Sequence, residues 1–305
     1  MKRSMAVCAR YATGLAVALC LATQPSLGAG YALSSAASEV AVDESVAGLV
    51  PEGLREQGAL RVSVYGNTPY TMTDENSQLF GAVVDLADAI AARMGLEAII
   101  EDNASVAASR VAVESGRYEL GMGPFLVSAA TEEQFDLIPW VRVTPGFVFR
   151  AGEDYADAMD FCGARMAIVS GSVPVENNMT ALTKACEQAG KPAPVVNAYG
   201  DQNATIVAVL SGRDDASVMG SASALYVASQ QRDRLGAFSA ETDVFGVGLF
   251  SGLGIAKGNA ELAEAVLAAL RSLADDGVYR GIFAEYGLEA LVVEDWVINP
   301  ITGGR

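Results

Sequence analysis

The chain of 305 residues contains no histidine, only four cysteines, and only 20 basic side chains against 37 acidic ones. Without histidine there is no Ser-His-Asp or Cys-His relay, no HExxH zinc site and no imidazole general base. A formal charge of −17 argues against a nucleic-acid partner, because phosphate contact needs clustered Lys and Arg. Long apolar runs are missing beyond the N-terminus. Mean hydropathy is positive, yet the apolar residues are dispersed and rich in Ala and Val. A spanning helix needs about 20 consecutive apolar residues. Length alone predicts about two domains.

The one apolar run follows Lys2, Arg3 and Arg10 and covers residues 11–23, with small residues after it at Ser26, Gly28, Ala29, Gly30 and Ala32. This is the layout of a secretory signal peptide, expected over residues 1–32 with cleavage near 28–32. An uncleaved anchor is the alternative. A lipid anchor at Cys20 is disfavoured by Leu19, where a small residue is wanted. Cleavage removes three basic residues and no acids, which takes the mature charge to −20. It also leaves Cys162 and Cys186, which in an exported chain are most simply one disulfide. In the chain-entropy model such a bond contributes roughly 3 kcal/mol. Two buried free thiols are the alternative.

Residues 33–46 are small, polar and acidic and read as a flexible leader. Residues 60–64 alternate like a strand, and 84–94 carry Leu86, Ile90 and Met94 at helical spacing before Gly95. A strand at 98–101, a helix at 105–114 and a strand at 119–122 complete a β-α-β-α-β order, which predicts parallel strands. The order recurs with a strand at 165–169, a helix at 175–189, a strand at 195–197, a helix ending near 210 and a strand at 216–219. SGRYELGMG and SGRDDASVMG stand at matching places in the two halves. A final amphipathic helix at 261–274 is too small a unit to stand alone and is expected to return to the first half. The expected layout is therefore lobe 1 at 47–141 plus 253–292, lobe 2 at 146–248 and a C-terminal tail at 293–305. Two crossings between lobes make a hinge over a cleft.

The segments TPYTMTDENSQLFGAVVDLADAIAARMGL, SGRYELGMGPF, FCGARMAIVSGS and GIAKGNAELAEAVLAALRSLADDGVYRGIFAEYGL, taken in order, resemble the family 3 extracytoplasmic solute-binding proteins of ABC importers. The resemblance runs over about residues 60–288, and the cysteine pair resembles a subgroup of that family. It implies an α/β fold of the periplasmic-binding-protein type II. In that fold two α/β lobes are joined by a two-strand hinge, and the protein works as a monomer that closes on a small solute and passes it to membrane permease subunits. It implies no cofactor, no metal and no catalytic residue, and a periplasmic or secreted location.

The resemblance breaks at the anchoring positions. Typical members carry a hydroxyl residue and then an arginine for the ligand carboxylate; here Leu126 and Thr131 align with them. The acid that holds the ligand ammonium is replaced by Gly220, and Tyr65 ends the first strand. Removing one partner of a buried charge pair costs about 2–5 kcal/mol, so ordinary charged amino acids should not be carried over as ligands. The candidate ligand-binding set is Tyr65, Tyr70, Phe125, Leu126, Ser128, Thr131, Ser172 and Gly220. It suits an uncharged or weakly polar solute. Arg142 is a candidate displaced cation, and Met219 is balanced between cleft and lobe interior.

Plainer roles compete at several positions. Thr131 reads equally as a helix N-cap, with Glu132 and Glu133 in the first turn. Tyr70 reads as a core aromatic, Gly220 as backbone punctuation and Asp214-Asp215 as solvated surface. The glycines of 246–252 miss the dinucleotide-binding spacing and read as hinge packing. Two other functions stay open on the same fold, a sensor or accessory protein without transport and a periplasmic dehydratase. The latter needs a positioned acid or base, which the candidate set lacks.

Overall fold

The computed structural model describes residues 32–303, apart from Gly66, Ala104, 241–243 and 246–248. The expected signal peptide lies outside the described residues but for Ala32. Short helices α1 (Ser35–Ser38), α2 (Glu44–Ala47) and α3 (Glu52–Gln57) lead into strand β1 (Ala59–Val64). A small hairpin, β2 (Met72–Thr73) and β3 (Leu79–Phe80), precedes α4 (Ala82–Arg93), β4 (Glu97–Asp102), α5 (Val106–Glu114) and β5 (Leu120–Leu126). The one-turn helix α6 (Ala129–Glu132) then gives way to β6 (Phe135–Val143) and β7 (Pro145–Arg150). Next come β8 (Arg165–Val169), α7 (Val173–Gln188), β9 (Val195–Tyr199) and α8 (Gln202–Leu210). After them stand β10 (Ala216–Gly220), α9 (Ser221–Gln230) and β11 (Leu235–Ser239). The chain finishes with β12 (Leu249–Ala256), α10 (Ala260–Asp275) and α11 (Val278–Glu285).

Two five-stranded sheets result, in the orders β4-β1-β5-β12-β6 and β11-β7-β10-β8-β9. In each, one βαβαβ run supplies parallel strands, with β1 between β4 and β5 and β8 between β9 and β10. Antiparallel strands complete each sheet: β12 pairs with both β5 and β6, and β7 pairs with both β10 and β11. The polypeptide therefore passes between lobes at Thr144 and again between Ser239 and Leu249. Strands β6 and β7, which carry the first crossing, were not anticipated from the sequence. The run at 135–149 is apolar almost throughout, so it lacks the alternation that marks a half-buried strand.

The paired SGR segments prove to be one structural device used twice. Gly116 and Gly212 both take φ +73°, a left-handed turn that glycine adopts without strain. The acid that follows then grips the arginine of the lobe's first strand. Glu119 accepts the Arg61 backbone N–H at 2.9 Å and its guanidinium, and Asp215 accepts the Arg165 backbone N–H at 2.8 Å and its guanidinium at 2.6 Å. Asp214, expected on the solvated surface, is instead fully buried. It accepts from Asn197 Nδ2 and the Tyr199 hydroxyl, which knits β9 to the turn before β10. Cys162 and Cys186 form the disulfide, joining the segment before β8 to the end of α7.

The leader is the clearest correction. Residues 33–46 are not flexible but packed, because Ala37, Val46 and, just beyond, Val50 turn their small side chains onto the main lobe 1 core. The backbone N–H of Ser34 donates to Asp85 Oδ1 at 3.1 Å, and the Ser272 hydroxyl donates to Asp43 Oδ2 at 2.8 Å. A composition without large apolar side chains hid this, since a few well-placed small residues suffice where a partner face already exists. The tail is also seated. Trp296 and Ile298 are buried, Asn299 bonds Asp136 and the Leu137 N–H, and Glu132 accepts from the backbone of Ile301 and Thr302.

Asp85, buried against Ser34 and Tyr286, is pushed up by burial, whereas the hydroxyls of Ser45 and Ser272 hold Asp43 down to about 2. A depressed carboxylate stabilises above its ordinary value and loses that contribution as pH falls through the folded-state value. The α2 cap should thus hold above about pH 4, with amide-exchange protection at Val46 and Ala47 lost on acidification toward about 2. Deleting residues 33–50 uncovers the faces that Val46 and Val50 bury, at about 1.5 kcal/mol or more each. The expected fall in Tm is about 6–10 °C. A flexible leader would leave Tm unchanged.

Candidate functional site

The parallel strands β1 and β5 of lobe 1 and β10 of lobe 2 all end toward one interlobe cavity of about 260 Å³. Crevices at the carboxyl ends of strands are where open α/β sheets bind ligands. From lobe 1, Tyr65 follows β1, Asn67 and Tyr70 come from the loop after it, and Val83 from the first turn of α4. Strands β5, β6 and β12 add Met122, Gly123, Leu126, Trp140, Val143 and Ser251. From lobe 2, the end of β10 and the start of α9 contribute Gly220, Ser221, Ala222 and Ser223. Among these lining residues there is no carboxylate, ammonium or guanidinium.

The loop that carries Tyr70 is fixed by helix capping. The first N–H groups of a helix lack partners of their own, and here Ala82 N and Val83 N donate to Pro69 O and Tyr70 O at 3.3 and 2.9 Å. That approach requires Gly81, at φ +131°, because a Cβ there would fall 2.4 Å from Tyr70 O. The Tyr70 ring meets Trp140 edge-on at 5.2 Å and packs against the lobe 1 core, so it serves both the core and the cleft. Burial pushes its phenol well above the ordinary range, which keeps it a neutral hydroxyl. Across the mouth, the Ser223 hydroxyl donates to Thr68 O at 3.0 Å and ties α9 to the same loop.

Trp140 enters the cleft through a β-bulge. Val141 pairs with Ser251 and Pro139 with Gly252, so the register steps over Trp140. Such an extra residue leaves the strand's alternation and re-aims its side chain. Beyond it, Val143 lines the cleft while Arg142 and Thr144 line a separate groove behind the crossing, with Phe238, Leu249 and Phe250. Arg142 is therefore not a displaced cation of the cleft.

Of the expected ligand set, Tyr65, Tyr70, Leu126 and Gly220 come together at this cavity. Phe125 does not. Strand β5 runs on to residue 126 rather than ending at 122, and the Phe125 ring is wholly buried against Phe135. It fills the space that Cβ atoms at Gly121 and Gly254 would take, at 2.7 and 2.9 Å from the ring. Ser128, Thr131 and Ser172 lie outside the cavity walls. Ser128, not Thr131, is the N-cap of α6, and Thr131 is the buried residue whose N–H it accepts at 3.2 Å. Ser172 precedes α7 without a side-chain capping bond, and the neighbouring Gly171 N–H donates to Glu176 Oε1. Met219 faces the lobe 2 interior. Of the hinge-packing glycines, Gly246 and Gly248 lie outside the described residues, and Gly252 packs on Leu137 and Val127.

Sequence reasoning missed Asn67, Met122, Trp140, Ser221, Ser223 and Ser251. The serines directly after β10 were the readable signal, since the strand's carboxyl end was already placed. Trp140 had none, because a bulge is invisible in an apolar run.

Two lobes of matched topology around a cleft, crossed twice by the chain, define a hinged type II binding protein. The family model for bacterial extracellular solute-binding proteins, family 3, matches residues 60–289, and the chain belongs to that family. Its members are extracytoplasmic. The arginine-binding protein ArgT of Corynebacterium glutamicum is 26% identical over 262 residues, covering 82% of this chain and 81% of that one. Among solved structures, the L-cystine solute receptor of Neisseria gonorrhoeae in its unliganded open conformation superposes with a TM-score of 0.65 at 20% identity, over 80% of this chain and 98% of that one. An ancestral cyclohexadienyl dehydratase shares the fold as well, with a TM-score of 0.58 at 20% identity over 77% and 95% of the two chains.

Replacing Gly81 by Ala should push the Tyr70 loop off the start of α4. The expected result is a loss of stability of about 1 kcal/mol or more in denaturant melts. Gly220→Ala, where an added Cβ meets nothing within 4 Å, should leave stability unchanged.

Proposed function

We propose that this protein is the extracytoplasmic receptor of an ABC importer and that its solute is neutral or weakly polar rather than a standard charged amino acid. The observation that carries the reading is the uncharged wall of the cleft, built from tyrosine, tryptophan, asparagine, serine, methionine and small aliphatic side chains. A ligand ammonium or carboxylate enclosed there would lose its hydration without gaining a counter-charge, which is costly. The cavity of about 260 Å³ is below the range of about 300–1,000 Å³ typical of drug-sized ligands, so a metabolite-sized solute fits.

The arginine that gives the Corynebacterium relative its name is not carried over, because Thr131 and Gly220 stand where the anchoring charges would be. Thr131 is buried within lobe 1 and Gly220 brings no side chain. Delivery to a permease, cleavage of the leader near residues 28–32 and a monomeric working state complete the reading. The described cleft wall offers no carboxylate, imidazole or amine for general acid–base chemistry, only the phenols of Tyr65 and Tyr70, which favours the receptor reading over a dehydratase.

Thermal-shift screening of the mature chain against charged, zwitterionic and neutral solutes, followed by calorimetry, tests the proposal. Neutral solutes should raise Tm, and arginine and glutamate should not. Micromolar binding of arginine would sink the reading. Gly220→Asp places a carboxylate in open space at the cleft wall. It should weaken a neutral ligand tenfold or more, about 1.4 kcal/mol, with little change in the Tm of the free protein.

A further inference from the structure

The polar side chains of the cleft wall divide by what they already hold. Ser251 donates to Gly123 O at 3.1 Å and Ser223 donates to Thr68 O, so both hydroxyl protons are engaged within the protein. The side chains of Tyr65, Asn67, Tyr70 and Ser221 make no hydrogen bond among the described residues. Ser221, the first residue of α9, is the most confined of the four. It is 3% exposed, and its backbone N–H is taken by Thr144 O at 2.9 Å. Its backbone is pressed against β7, where a Cβ on Gly146 would fall 2.6 Å from Ser221 Cα. The fully enclosed, unpartnered polar atoms of the described residues lie in Ser34, Thr71, Arg93, Trp140 and Trp296, and the Ser221 hydroxyl is not among them. The small part of Ser221 that stays accessible therefore includes its hydroxyl, and the space it borders is the cleft. Buried polar groups normally find a hydrogen-bond partner, and here the partner has to come from inside the cavity.

We propose that the Ser221 hydroxyl is the lobe 2 anchor of the cleft, working with the Asn67 carboxamide of lobe 1, and that the solute is a small polyhydroxylated molecule of the polyol or sugar type. The inference rests on the neutral-ligand reading and deepens it. Every free side chain on the wall can both donate and accept. None is a donor only, as an ammonium is, or an acceptor only, as a carboxylate is. A solute hydroxyl has the same dual character and no charge, so it can donate to the Asn67 oxygen while accepting from Ser221. An amide fixes donor and acceptor on separate atoms and uses one role of each partner. The ring of Tyr65 and the aliphatic side chain of Leu126 cover the C–H faces of such a solute. Because lobe 1 supplies Asn67 and lobe 2 supplies Ser221 to one cavity of about 260 Å³, a single bound molecule ties the lobes together.

The probes are erythritol, ribose, glucose and myo-inositol, with N-acetyl amino-acid amides and free amino acids as the contrast, read by thermal shift and calorimetry. A hydroxylated probe should raise Tm where the contrast sets do not. Ser221→Ala removes an oxygen that holds nothing in the free protein. The Tm of the unliganded chain should therefore stay unchanged while affinity for the probe falls about three- to tenfold, the range of one hydrogen bond. Ser251→Ala gives the opposite pattern for the free chain, a lower Tm, because it breaks the bond to Gly123 O. Asn67→Ala, at an exposed loop position, should weaken the same probe to a similar degree and decides the matter if Ser221→Ala folds poorly. A hydroxylated probe that binds Ser221→Ala as tightly as wild type overturns the anchor and leaves the neutral cleft standing. Failure of every hydroxylated probe overturns the solute class, and binding confined to free amino acids overturns the neutral reading with it.

Discussion

Strand β12 lies antiparallel between β5 and β6, and the first lobe's sheet is complete only with it there. This pairing draws about the last fifth of the chain back into the first lobe and forces the second crossing. It depends on small residues. Gly254, with Gly121 across the ladder, leaves room for the Phe125 ring, and Gly252 makes room for Leu137. Because β5 is held by β12 as far as residue 126, its end delivers Leu126 to the cleft and turns Phe125 into the core. The irregular register of β12 on β6 releases Trp140 into the same wall. Glycine against an aromatic ring thereby sets where Phe125 and Leu126 fall, and the register step on β6 sets where Trp140 falls.

The cleft and the rest of the molecule handle charge in opposite ways. Carboxylates are buried at several places, but each is engaged structurally: Asp85 with the leader, Glu132 and Asp136 with the tail, and Asp214 with β9. Buried charge is tolerable only when paired or hydrogen-bonded, and these groups meet that condition within the lobes. The described walls of the cleft hold no such group and offer hydroxyls, an amide and aromatic rings instead.

Much of the fold was legible because it repeats. The βαβαβ order in each half, the SGR turns and the amphipathic helix at 260–275 are local patterns with a local cause, and parallel strands follow from them. The cysteine pair was readable from its number and compartment. What escaped was set by tertiary context. The leader looks disordered by composition, yet Ala37 and Val46 are buried on a surface that exists only after α4 and α10 have packed. Asp214 looks like a surface acid until Asn197 and Tyr199 arrive from another strand. Half of the expected ligand set reached the cavity, and these were residues at strand ends or loop tips. Phe125, Ser128, Thr131 and Ser172 did not reach it: β5 runs on to residue 126 and turns Phe125 into the core, Ser128 and Thr131 are taken up by the one-turn α6, and Ser172 lies outside the walls.

That difference bears on how ligand choice changes within one fold. Loss of two anchoring charges by substitution alone would leave a cleft with unsatisfied remnants of the old site. Here the position aligned with the guanidinium belongs to a short helix whose cap, Ser128, is internal. The next residue, Glu132, binds the tail. This segment secures residues 301–302 to the first lobe. The position opposite ends in glycine, which leaves open space rather than a replaced contact. On the proposed neutral-ligand reading, the backbone at 128–132 serves to hold the lobe together rather than to present a charge to the solute.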